Sequence, residues 1–150
     1  MNLSIKRVTA IFAASSMLSA LLCVTAARAQ GVEPSTTSSV TGTWTGTDTE
    51  GGKGSGPMMM VLTQSGKGIG GTFSVTSGTD TPVGNVTGSI SKDKLKLTFL
   101  TTGGSNHLCD AKVLATVDET AMPPTMRGTF QAYGSKKHCK GKGNFDLTQQ

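Results

Sequence analysis

Gly42-Thr43-Trp44 opens a pattern that returns as Gly71-Thr72-Phe73, Gly128-Thr129-Phe130 and Gly143-Asn144-Phe145, with Gly88-Ser89-Ile90 as an aliphatic version. Side chains two apart share one face of a strand. Each triplet therefore sets a glycine and a large apolar group on one side and a hydroxyl or amide on the other. Glycine inside a strand marks a bend or a close backbone approach, and repeated glycine kinks are how a sheet curves onto itself. Outward from these triplets, alternation bounded by turn residues predicts strands near Val40–Gly46, Met58–Gln64, Ile69–Val75, Asn85–Ser91, Lys94–Thr101, Leu108–Val117, Thr125–Tyr133 and Lys142–Gln149. The class is all-β. Ser65-Gly66-Lys67-Gly68 and Lys92-Asp93 read as tight turns. Short sequential connections make antiparallel neighbours, so the expectation is an eight-stranded antiparallel up-and-down meander closed into a barrel. A two-sheet β-sandwich is the alternative.

Alternation also assigns faces. The inward set is Gly42, Trp44, Met60, Leu62, Ile69, Gly71, Phe73, Val86, Gly88, Ile90, Leu95, Leu97, Phe99, Ala111, Val113, Ala115, Met126, Gly128, Phe130, Gly143, Phe145 and Leu147, with no charge among them. The outward set is rich in Thr and Lys. An apolar interior inside a polar exterior is the reverse of a membrane barrel.

The first thirty residues read as an export signal. Lys6 and Arg7 precede the apolar run Val8–Val24, and Ala27-Arg28-Ala29 is a small-x-small cleavage pattern, so processing is expected after Ala29. Residues 1–29 are then a cleaved signal peptide, 30–39 a flexible Ser/Thr-rich leader, and 40–150 the barrel domain, periplasmic or secreted and with no stable membrane span. The formal charge of +5 shrinks with this segment. Without Lys6, Arg7 and Arg28, 11 Lys/Arg face 9 Asp/Glu, and the basic stripe that nucleic-acid binding needs is absent.

Two cysteines remain beyond the signal, Cys109 and Cys139. An even pair in an exported domain reads as a disulfide. In a meander, connections 1–2, 3–4, 5–6 and 7–8 share one end. Cys109 follows connection 5–6 and Cys139 lies in connection 7–8, so the topology allows the bond. The same end carries the longer connections, Thr47–Pro57, Thr76–Gly84, Thr102–His107 and Gly134–Gly141, and loop-rich mouths are where small barrels bind ligands.

Val40-Thr41-Gly42-Thr43-Trp44 on the first strand of an exported eight-strand meander resembles the calycin superfamily, which includes lipocalins, avidins, fatty-acid-binding proteins and bacterial metalloprotease inhibitors. The resemblance implies a barrel whose first-strand Trp44 packs across the closed end. One Trp and one Tyr do not make an avidin-type biotin site, and biotin binding is not carried over.

No nucleophile–base pair or acid pair suited to catalysis stands out, and the expectation is a non-enzymatic protein with no cofactor. The aromatics Trp44, Phe73, Phe99, Phe130 and Phe145 are candidates for lining a site that takes a small apolar ligand or a secreted protein partner. Lys136, Lys137, His138 and Lys140 form a candidate basic patch at the mouth. No metal is expected; the set that would hold one is His107, His138 and Asp110, or Cys109, Cys139, His107 and His138 were the cysteines unpaired, and the plainer reading is solvated histidines beside a structural disulfide. Asp48 and Glu50 fall in the predicted mouth loop. Met58-Met59-Met60 cannot converge on one ion, because successive strand residues point opposite ways. Two further readings compete: a metalloprotease inhibitor acting through residues 30–39, and an envelope-associated structural domain.

Overall fold

The computed structural model describes residues 37–51, 54–76, 81–104, 109–134 and 139–150. The expected signal segment, leader residues 30–36, His107 and the lysine-rich tip at 135–138 lie outside them.

Eight strands follow in chain order: β1 Gly42–Glu50, β2 Gly54–Ser65, β3 Gly68–Val75, β4 Val83–Ser91, β5 Lys94–Gly103, β6 Asp110–Asp118, β7 Thr125–Tyr133 and β8 Lys142–Gln149. Each pairs antiparallel with the next, and β1 pairs with β8, so the sheet is a closed barrel rather than a sandwich. Closure removes the exposed edges an open sheet would carry. One correction concerns the stretch Thr47–Pro57, expected as a mouth loop. It is mostly a hairpin, with Glu50 opposite Gly54, Asp48 opposite Gly56 and Thr47 opposite Pro57. The strand continues because β8 offers β1 a second partner there, placing Asn144 opposite Thr49 and Phe145 opposite Asp48.

The interior is built from inward glycines set opposite large side chains. A Cβ on Gly128 would lie 2.4 Å from Cζ of Phe145, and one on Gly143 would lie 2.4 Å from Cζ of Phe130. These are direct cross-strand partners. Gly84 stands in the same relation to Phe73, and Gly88 to Leu97. The missing Cβ lets each ring or branch lie over the neighbouring backbone. At Gly71, with φ of +154°, a Cβ would meet the Val61 carbonyl at 2.0 Å; there the absent side chain permits a close approach of backbones.

At one end the barrel is sealed. Val40 and Trp44 are completely buried, and Trp44 Nε1 donates to the Val40 carbonyl at 2.9 Å. The chain before β1 is tied across this end. Ser38 N donates to the Lys92 carbonyl, Ser39 N to Glu119 Oε1 and Val40 N to Gln64 Oε1. These acceptors belong to the 92–93 turn, the 119–124 connection and the end of β2. The closed-end role expected of Trp44 therefore has a cause: a short strap, residues 38–40, covers the indole and takes its hydrogen bond.

The opposite end carries the connections at 51–53, 76–82, 104–109 and 134–141. Cys109 and Cys139 are joined there, with S–S 2.06 Å and Cα–Cα 5.3 Å. The bond links the start of β6 to the connection before β8, at the one end where the strand count allowed it.

Candidate functional site

The inward faces change character along the barrel axis. Toward the closed end Trp44, Leu62, Ile90, Leu95, Met126 and Leu147 are sealed from solvent. Toward the mouth the strands present Val75, Ala111 and Phe130, packed against the core but only half-buried, and Thr101 and Glu50 are half-buried as well. The mouth is thus the end at which apolar interior surface stays within reach of solvent.

The five aromatics expected to line a site are not brought to one place. Trp44 closes the far end. Phe73 and Phe99 stack on each other, with centroids 4.5 Å apart and planes 16° from parallel. Phe145 covers Gly128, and Phe130, the half-buried one, covers Gly143. Beside Gly128, Gly143 and Gly84 the space that a side chain would take is occupied by Phe145, Phe130 and Phe73. Of the five, Phe130 alone is both near the mouth and partly open.

The interior is not free of charge, contrary to the sequence reading, and its apolar set also gains Val40, Met58 and Val117. Asp48 faces inward between Gly56 of β2 and Phe145 of β8 and is 3 % exposed. Its Oδ1 has no hydrogen-bond partner. Burial pushes the carboxyl above the usual carboxylate range. The N–H of Asp48 itself pulls it back, the charge of Glu50 adds to the rise, and the Gly56 N–H opposes it. Glu50, two residues along the same face, is half-buried and lies against Gly141. Expected in the Thr47–Pro57 loop, both acids are consecutive inward positions of β1. The signal for this was present, since Trp44, Gly46, Asp48 and Glu50 keep the two-residue period.

Asp110, one member of the metal set, has a structural partner. Its Oδ1 accepts from Thr101 N at 3.0 Å, and Thr101 Oγ1 donates to the Cys109 carbonyl at 2.6 Å. These bonds stitch β6 to β5 beyond Phe99–Ala111, where their ladder stops. His107 and His138, the other members, and Lys136 and Lys137 lie outside the described residues. Lys140 is exposed. Among the described residues no group of three His, Cys, Asp or Glu is arranged to hold a metal ion. The methionine triplet alternates as expected, with Met58 and Met60 buried and Met59 exposed.

No protein-family model, no curated protein and no solved structure matches this chain. What the structure shows is the architecture, an eight-stranded antiparallel closed barrel.

Proposed function

We propose that this is an exported, non-enzymatic binding protein of calycin type, which takes a small ligand at the mouth of its barrel. The observation that carries the reading is the gradient of burial along the axis. One end is sealed by a strap and a buried tryptophan. The other leaves Val75, Ala111 and Phe130 half-buried within a ring of connections clamped by Cys109–Cys139. A small concave apolar surface with a few polar groups is the usual form of a ligand site. A disulfide across two of its connections reduces the ordering cost of binding. Export accounts for a bond that a reducing compartment would not maintain.

Native mass spectrometry of protein isolated from its own periplasm or culture medium tests the proposal. The expected spectrum contains a non-covalent adduct that is lost on mild activation. It is accompanied by uptake of a small hydrophobic dye, which half-occupied protein takes in part. Protein that flies only at its bare mass and takes no dye contradicts the reading.

A further inference from the structure

The geometry points to Asp48 as the receptor for a protonated amine or guanidinium group, carried by a ligand that enters at the mouth. This rests on the binding function proposed above and sharpens its ligand from an apolar molecule to an amphipathic cation.

Asp48 is the only buried charged residue among those described, and its Oδ1 is unpartnered. A buried carboxylate oxygen without a donor is costly, so a site that keeps one invites a donor from outside. Every described Lys and Arg is exposed, and the residues directly across from Asp48 are Gly56 and Phe145. No described side chain therefore supplies the cation. Aromatic rings stand on the β8 side of Asp48 and Glu50. Phe145 is opposite Asp48, and Phe130 covers Gly143, which is opposite Glu50. Carboxylate and aromatic faces together are the chemistry that recognises an organic ammonium group. A hydrated metal ion prefers several oxygens, and the described residues hold no such set.

The test is a titration of the full mature protein with benzylammonium chloride and, separately, with benzyl alcohol, which is similar in shape but uncharged. Carboxyl carbon and aromatic ring resonances are followed by NMR at neutral pH. The expected result is a saturable shift of the Asp48 carboxyl and Phe145 ring signals with the amine alone, weakened at least about tenfold in Asp48→Asn. Equal binding of amine and alcohol overturns the inference while leaving a ligand-binding mouth. A response to calcium or zinc chloride but not to the amine makes the site one for inorganic cations and also overturns it. If neither small molecule shifts these signals, the inference fails, and dye uptake on the same sample reports separately on the binding function. The amine–alcohol comparison needs no variant, so it decides even if Asp48→Asn folds poorly.

Discussion

The ring of Phe145 occupies the space that a side chain on Gly128 would need. A Cβ there would lie 2.4 Å from Cζ of the ring and 2.7 Å from the Leu114 carbonyl. The two residues are direct partners on β7 and β8, and the aromatic triplets of the sequence recur because the strands use this pairing more than once. Gly128→Ala is expected to cost about 1–3 kcal/mol through overpacking. In a Phe145→Ala background the added cost of Gly128→Ala should fall by roughly 1 kcal/mol, since contacting residues couple. Denaturant melts of the four proteins measure this, and additive effects would show that the contact does not govern Gly128.

Neighbouring glycines provide a sharper contrast. Gly71 has φ of +154° and backbone within 2.0 Å of its missing Cβ, whereas a Cβ on Gly70 would meet only Thr63 Oγ1, at 3.6 Å. Gly71→Ala should destabilise by more than about 2 kcal/mol. Gly70→Ala should be within about 0.5 kcal/mol of neutral. Equal midpoints for the two variants would contradict the close approach of β2 and β3 at this point.

Cys109–Cys139 closes a loop with a sequence separation of 30. In the chain-entropy account that contributes on the order of 2–4 kcal/mol. The double Cys→Ala variant should melt roughly 8–25 °C lower while keeping its β circular-dichroism spectrum, because the apolar interior is untouched. Two free thiols in denatured protein taken from an oxidising compartment would refute the bond in the native protein.

Trp44 is the only tryptophan, which makes the closed end visible by fluorescence. Removal of residues through Val40 takes away both the lid and the Nε1 acceptor. The emission should then shift to longer wavelength and become accessible to iodide. Removal of residues through 36 alone should change neither. An unshifted spectrum in the longer deletion would mean that the strap does not seal the indole.

Asp48 sets a pH dependence with a definite sign. Its folded-state pKa is raised by burial, so between the unfolded and folded values the native state binds more protons than the unfolded one. Stability contributed by this group therefore falls as pH rises through that window and recovers on acidification. Among the described residues the charge bearing on it is Glu50 on its own strand, with Gly56 and Phe145, neither of them titratable, on the strands to either side. Asp48→Asn should stabilise the ligand-free protein at neutral pH by on the order of 1 kcal/mol, and the gain should shrink as the pH approaches 4. A gain independent of pH would assign the effect to packing instead of charge.

Much of this architecture is legible in the sequence. Thr125–Tyr133 and Lys142–Gln149 coincide with β7 and β8, because strict alternation ends there in clear turn residues. The disulfide was legible from the even cysteine pair, with strand parity putting both cysteines at one end. The hairpin at Thr47–Pro57 was not legible, for a physical reason. Gly, Ser, Asp and Pro are turn formers locally, and here strand structure is supported by a partner about a hundred residues away, in β8. Asp48 was hidden by the same misreading, compounded by the rule that buried positions are apolar. The glycine–ring contacts were likewise out of reach, since each depends on the cross-strand register that sets Gly128 opposite Phe145 and Gly143 opposite Phe130.

The most direct measurement of the central claim is backbone NMR mapping of a hydrophobic dye titrated into the mature protein. Binding at the mouth predicts saturable shifts at Val75, Ala111, Phe130 and Cys139, with Val40, Trp44 and Ile90 unmoved. Shifts centred on the closed end or on the outer face around Leu114 and Arg127, or no saturable shift at all, would contradict it.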